Sequence, residues 1–180
     1  LWRLAGVSEA AALERNILSG AVSIAAVLAA LAVIDKVGRK PLLLIGSVGM
    51  AVTLGAMAWA FSGAGADAAG NLMLSPSAGM VALVAANLYV IFFNFSWGPV
   101  MWVMLGEMFP NQMRGSALAV AGLAQWGANY LVVQSFPAMA DGLGLAGTYA
   151  LYTVAAVVSI FLVRSFIKET KGKELEEMTG

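Results

Sequence analysis

The chain has 180 residues, of which 61% are hydrophobic and 11% are charged, and its mean hydropathy is +0.85. Soluble domains carry about 25% charged residues, so this composition favours a membrane protein. The ten basic and ten acidic side chains cancel, which leaves no net positive charge to attract nucleic acid. The absence of cysteine and histidine excludes disulfides and thiolate metal sites and removes the commonest general base. We therefore expect no enzyme activity, no cofactor, no metal and no nucleic-acid partner.

Five long uncharged segments predict five membrane-spanning helices, because about 20 apolar residues cross a bilayer. The predicted helices lie at about 16–34, 42–61, 78–107, 116–136 and 147–166. Together they predict an all-α, polytopic membrane helix bundle with a cytoplasmic tail at 168–180. The connection 137–146 is expected to lie outside these helices. The chain begins with Leu rather than Met and its first residues lack the features of a signal peptide, so we interpret it as a fragment.

The third predicted span is unusually long. Its roughly 30 residues would extend about 45 Å at 1.5 Å per residue, which exceeds the hydrocarbon core of about 30 Å. The span must therefore tilt, bend or protrude. The Gly98-Pro99 pair is the expected place for a bend.

The basic residues indicate how the helices are oriented in the membrane. In a five-helix zigzag, one side receives Lys36, Arg39, Lys40, Arg114, Arg164, Lys168, Lys171 and Lys173. The positive-inside rule places that side in the cytoplasm. We therefore predict an integral protein of the plasma (inner) membrane, with the amino terminus of this chain outside and the carboxyl terminus inside.

Amide side chains inside the predicted spans are candidates for a solute pathway, because a polar group in lipid costs free energy unless it faces a partner or water. Asn87 and Asn94 share a face of the third span, and Gln125 and Asn129 share a face of the fourth. One interpretation is that the amides only link helices, where each hydrogen bond contributes about 0.6 kcal/mol.

The tryptophans favour a second interpretation, a sugar site. Trp102 follows the expected bend, and Trp126 adjoins Gln125. Indole rings stack on the C–H faces of a pyranose, and amides match hydroxyls that both donate and accept hydrogen bonds. A neutral solute needs no charged partner within the membrane.

The charged turn from Asp35 to Lys40 is open to two interpretations. It is either an anchor that obeys the positive-inside rule or a latch, in which Asp35 and Arg39 pair with each other or with a helix terminus. The same choice applies to Glu107 and Arg114, which flank the turn that follows the third span.

Four motifs resemble those of the sugar porter family of the major facilitator superfamily. The segment from Gly98 to Gly115, GPVMWVMLGEMFPNQMRG, resembles the family signature. The turn from Asp35 to Lys40 resembles the repeated cytoplasmic loop motif, Gln125 to Asn129 resembles the sugar-contacting segment, and Glu169 to Lys173 resembles the tail motif. Ser23 departs from the pattern, because relatives place at that position an Asn that reaches the sugar. The chain is most similar to the carboxy-terminal half of bacterial proton-coupled sugar symporters and facilitative glucose transporters.

The resemblance implies a fold and two sets of functional residues. The five spans would be the eighth to twelfth helices of a twelve-helix transporter that works by alternating access. The sugar-binding residues that it implies are Gly98, Trp102, Gln125, Trp126, Asn129 and Asn94. The cytoplasmic charge network that it implies comprises Asp35, Arg39, Glu107, Arg114 and Glu169.

Transport of a monosaccharide or polyol, by proton symport or facilitated diffusion, is the leading functional hypothesis. The partners expected are the sugar, membrane lipid, the missing amino-terminal half and, for a symporter, protons. A non-transporting sugar receptor would keep the same pocket, although a tail of about a dozen residues gives little room for signalling. A membrane scaffold subunit would explain the helices but not the tryptophans beside amides.

Overall fold

The computed structural model describes residues 9–66, 72–167 and 169–171, and helices make up most of them. In chain order the elements are α1 (Glu9–Val37), α2 (Arg39–Ser62), β1 (Gly65–Ala66), β2 (Leu72–Met73), α3 (Pro76–Phe95), α4 (Pro99–Met108) and α5 (Arg114–Phe166). The two short strands pair antiparallel between α2 and α3. The all-α class is confirmed. Most of the predicted tail, namely Lys168 and residues 172–180, lies outside the described residues.

The turn between α1 and α2 consists of a single residue, Gly38. Its φ of 101° lies in the left-handed region that glycine adopts without steric cost. Asp35 and Lys36 stay within α1, and Arg39 and Lys40 already belong to α2. The predicted spans 16–34 and 42–61 thus lie inside helices that continue through the flanking charged residues.

The third predicted span is divided into two helices, as its length and the Gly98-Pro99 pair indicated. α3 begins with Pro76 in its first turn, and the Ser75 hydroxyl accepts a hydrogen bond from the N–H of Ala78 at 3.2 Å. α3 ends at Phe95, and α4 begins at Pro99. Proline is favoured at the first position of a helix because it has no N–H to be left without a partner.

The prediction that residues 137–146 connect two helices outside the helical structure is wrong for most of that stretch. α5 remains helical past Pro137 and is interrupted only at Gly144, where φ is 71° and ψ is 168°. The rings of Phe136 and Tyr152 nevertheless lie 6.5 Å apart. A straight helix would separate residues 16 positions apart by about 24 Å, so the chain reverses at Gly144 and α5 forms two legs.

α2 lies at the centre of the bundle. Half of its span is buried, against 11% to 17% for the other long apolar helices. Its buried apolar residues contribute to three clusters, which are Leu42 and Leu43 near α4, Met50, Ala51 and Leu54 near the second leg of α5, and Met57, Ala60 and Phe61 near α3. Four helical stretches in the described residues are long and apolar enough to cross a membrane: Ser19–Val37, Arg39–Ser62, Pro76–Met108 and Arg114–Phe166.

Candidate substrate site and charged cluster

The break between α3 and α4 places Trp102 on a short helix of its own. The N–H of Gly98 donates to the carbonyl of Phe93 at 2.9 Å, and the N–H of Val100 donates to the carbonyl of Ser96 at the same distance. Backbone groups released by the break are therefore satisfied locally, as a buried backbone requires. Gly98 itself immediately precedes α4 and contributes backbone rather than a side chain.

Trp102 lies against the first leg of α5. The far edge of its ring, Cη2, is 3.6 Å from the position that a Cβ atom would occupy at Gly122. Gln125, Trp126 and Asn129 follow Gly122 at spacings of three, four and seven, which places all four residues on one face of the helix. The structure thus brings Trp102 to the helical face that carries the predicted sugar-contacting residues.

Gln125 is the least satisfied residue of this face. Its side-chain carbonyl oxygen is buried, and no donor among the described residues hydrogen-bonds to it. A buried acceptor without a donor costs about 1 to 3 kcal/mol. Trp126 is 69% exposed and Asn129 is also exposed. The face formed by Gly122, Gln125, Trp126 and Asn129 is called the open face below.

The other intramembrane amides have local partners. Asn87 accepts a hydrogen bond from the Ser19 hydroxyl at 3.0 Å and donates to its own helix, so it links α1 to α3 as the helix-linking interpretation held. Asn94 donates to the carbonyl of Val90 at 2.8 Å, and no geometry ties it to the open face. The hydroxyl of Ser23, the departure from the family pattern, donates to the carbonyl of Ser19 at 2.8 Å.

An apolar cavity of about 380 Å³ lies elsewhere in the bundle, between α2, α3 and the two legs of α5. Its walls include the side chains of Tyr89, Phe93, Trp97 and Tyr152, and none of the predicted sugar-binding residues lines it. Most of the cavity surface is apolar, but the Tyr152 hydroxyl in its wall is buried and has no hydrogen-bond partner among the described residues.

The charged residues near the α1–α2 turn form a compact cluster. The Arg39 guanidinium donates to both carboxylate oxygens of Glu107, at 3.0 Å from Nε and 2.5 Å from Nη2, and it also contacts Asp35 at 2.9 Å. The Arg39 side chain is only 10% exposed. A bidentate contact between a guanidinium and a carboxylate is the strong form of an ion pair. The contact between Asp35 and Arg39 is one of the alternatives that the sequence left open for this turn.

Glu169 binds the amino terminus of α2. Its carboxylate accepts hydrogen bonds from the backbone N–H groups of Arg39 and Lys40 at 2.9 and 3.0 Å, where the helix dipole favours a negative charge. A Cβ at Gly38 would come within 2.7 Å of this carboxylate, so glycine leaves the space that the contact needs.

The surroundings of Glu169 act in opposite directions on its ionisation. Burial alone would raise the pKa of the Glu169 carboxyl, but hydrogen bonds from four backbone N–H groups outweigh burial and lower that pKa below its usual value. The donors are the N–H groups of Arg39, Lys171, Lys40 and Thr170.

Thr170 was not singled out from the sequence, although it lies inside the tail motif. Its hydroxyl donates to Glu107 at 2.7 Å, and the residue is 5% exposed. Asp35, Arg39, Glu107, Glu169 and Thr170 are together called the charged cluster.

Arg114 stands apart from the charged cluster. Its guanidinium donates from two nitrogens to the carbonyl of Phe109, both at 3.3 Å. It therefore holds the turn between α4 and α5, and the structure does not bring it to Arg39 or Glu107 as the predicted network implied.

The bundle of long apolar helices defines the chain as a membrane protein. The helix break beside Trp102, together with a Gln125 oxygen that has no donor in the described part of the chain, marks a candidate solute site. All 180 residues match the family model described as Sugar (and other) transporter. The "Glucose transport protein" of Synechocystis is 49% identical over 178 residues, which cover 99% of this chain and 38% of that protein.

Further similarity is found to a bacterial symporter and to its solved structure. The "D-xylose-proton symporter" of Escherichia coli K12 is 38% identical over 184 residues, which cover 99% of this chain and 35% of that protein. A crystal structure of a double tryptophan mutant of XylE superposes with a TM-score of 0.85 at 38% identity, covering 98% of this chain and 36% of that one. The chain belongs to the sugar porter family of the major facilitator superfamily, and it spans a little over a third of the length of the curated relatives it matches.

Proposed function

We propose that this chain supplies helices of a transporter that moves a neutral monosaccharide or polyol across the membrane by alternating access. Family membership supports the proposal, as do the glucose and xylose named for two similar proteins. The neutral amide and indole groups of the open face suit a solute without charge.

The observation that carries the proposal is the carbonyl oxygen of Gln125, which lies near the Trp102 half-helix, is buried and receives no hydrogen bond from any residue that the structure describes. A sugar hydroxyl would donate to this oxygen, while an indole would cover a C–H face of the ring. The same hydroxyl can accept a hydrogen bond in turn, which suits the exposed amide of Asn129. Asn94 and Gly98 belong to the proposed site through the family pattern alone.

The charged cluster lies at the end of the bundle that also carries the described basic residues Lys36, Arg39, Lys40, Arg164 and Lys171. The positive-inside rule therefore assigns this end to the cytoplasm. This orientation places the start of α1 outside the cell and the end of α5 inside. The paired charges would hold the cytoplasmic face closed in one conformation and release it in the other.

The open face also suggests what the chain works with. Exposed apolar side chains on the first leg of α5, such as Leu123, Tyr130 and Val133, accompany the exposed Trp126. Alternating access needs two halves that move against each other, so we assign this face to contact with an amino-terminal half. A vesicle preparation of the 180-residue chain alone should therefore show no saturable sugar flux.

The direct test is uptake of a panel of labelled sugars and polyols into vesicles that contain the full-length transporter with this sequence. We expect saturable uptake of one class of sugar, blocked by unlabelled competitor. Faster uptake under an inward proton gradient would establish symport, and uptake that ignores the gradient would establish facilitated diffusion. Saturable binding without uptake would indicate a receptor instead of a transporter. The absence of both binding and uptake would refute the proposed function.

A further inference from the structure

α2 contributes no side chain to the open face, yet it holds the start of the half-helix that carries Trp102. The indole N–H of Trp97 donates to the hydroxyl of Ser47 at 2.9 Å. The hydroxyl of Ser96 donates to the carbonyl of Leu42 at 2.8 Å. Ser47 and Ser96 are completely buried, so each bond has a hydroxyl that is shielded from water.

Close packing makes these bonds possible. A Cβ at Gly46 would collide with the side chain of Ser96, so the glycine lets the broken segment approach α2 closely. The buried residues Leu42, Leu43, Val100 and Met104 share one apolar cluster, and Trp97 packs against it. The segment before α4 is thus fixed in position by packing and in orientation by the two hydrogen bonds.

The path from this anchor to the candidate site is short and stiff. Only Gly98 separates Trp97 from Pro99, whose ring restricts φ to about −65°, and Trp102 follows within the first turn of α4. The direction in which α4 leaves the anchor therefore determines where the Trp102 ring meets the open face.

We infer that Ser47 is a positioning residue for the sugar site, acting through its hydrogen bond to Trp97. This inference rests on the proposed function. Loss of the Ser47 hydroxyl frees the indole N–H and lets α4 turn, so that Trp102 shifts from its place beside Gly122 on the open face while the groups that touch the sugar remain unchanged.

The test compares Ser47→Ala with Thr53→Ala in the full-length transporter. Both residues are buried hydroxyls on α2, but Thr53 donates to the carbonyls of Gly49 and Met50 in its own helix. We expect Ser47→Ala to raise KM for the sugar about 3- to 10-fold, the effect of losing one hydrogen bond, with kcat within about twofold. Thr53→Ala should leave KM unchanged.

A double-mutant cycle tests the path of the effect. Trp97→Phe removes the same hydrogen bond from the other side, so the double variant should show no larger rise in KM than Trp97→Phe alone. Additive rises in KM, or an equal rise in Thr53→Ala, would overturn the inference.

Hydrogen exchange of residues 99–108 gives a readout that does not depend on transport. Exchange should accelerate in Ser47→Ala and stay unchanged in Thr53→Ala. Unchanged exchange in Ser47→Ala would overturn the inference even if the wild-type protein transports sugar. A wild-type protein that neither binds nor transports sugar would instead overturn the proposed function and, with it, the sugar-positioning role of Ser47.

Discussion

The charged cluster and the open face differ in how completely this chain satisfies their polar groups. In the charged cluster, both oxygens of Glu107 bind Arg39, and Glu169 binds the backbone of α2. On the open face, the Gln125 oxygen has no donor among the described residues, and Trp126 is 69% exposed. The contrast indicates that this chain satisfies the polar groups of the charged cluster by itself, whereas those of the proposed sugar site depend on other molecules.

The largest loss of stability is expected from a change within the charged cluster. Arg39→Ala would leave Glu107 without its ion-pair partner. Removing one partner of a fully buried pair costs about 3 to 5 kcal/mol, and because Glu107 is 25% exposed we expect about 2 kcal/mol of lost stability. Thermal unfolding of the full-length protein in detergent measures this loss.

Lys40→Ala provides the control for Arg39→Ala. Lys40 is the neighbouring cation. Among the residues described, its ammonium donates only to the backbone carbonyl of Arg164, at an exposed position, so its loss should change stability by less than about 0.5 kcal/mol. Equal losses in the two variants would show that the charged cluster adds nothing beyond surface charge.

Gln125→Ala tests the open face. If a sugar hydroxyl donates to the buried amide oxygen, removing the amide should weaken sugar binding by about 1 to 3 kcal/mol while the unfolding temperature stays the same or rises. Gln134 is nine residues further along the same helix, on the opposite face and exposed. Gln134→Ala should bind sugar like the wild type, and equal affinity in all three proteins would reassign Gln125 to helix packing.

Arg114→Ala tests whether Arg114 belongs to the charged cluster. Within the described residues Arg114 hydrogen-bonds only to the Phe109 carbonyl. Its loss should therefore cost about 1 kcal/mol or less and slow transport less than Arg39→Ala does. Equilibrium sugar affinity should stay within a few fold. Slowing as severe as that of Arg39→Ala, measured by uptake under the same conditions, would place Arg114 in the network after all.

The smallest effect concerns the pH dependence of Glu169. Its pKa is lowered in the folded protein, so its contribution to stability is complete above the usual carboxyl pKa and is lost as pH falls through the lowered value. Glu169→Gln should therefore cost about 0.5 kcal/mol near neutral pH and nothing in strong acid. A difference between the melting curves of Glu169→Gln and wild type that persists in acid would rule out the carboxylate as the source.

Much of the fold could be predicted from the sequence, because membrane-length apolar runs and a Gly98-Pro99 pair act locally. The end of the fourth predicted span could not, since Pro137 suggests a helix end while Gly144 is where the backbone leaves the helix. For the site, spacing placed Gln125 and Asn129 on one face, but it could not show that Arg114 turns to Phe109. Thr170 was missed because a short polar residue near the end of a chain gives no periodic signal.

The contact between Glu169 and the start of α2 also has a consequence for the order of assembly during synthesis. Glu169 and Arg39 are separated by 130 positions, which a ribosome adding about 5 to 20 residues per second needs roughly 6 to 26 seconds to cover. During that interval the amino terminus of α2 lacks its contact with the Glu169 carboxylate. Arg39 likewise lacks its ion-pair partner until Glu107 has been added to the chain. The charged cluster can therefore form only after α5 and Glu169 have been added to the chain, so it is completed later than the α1–α2 turn on which it is built.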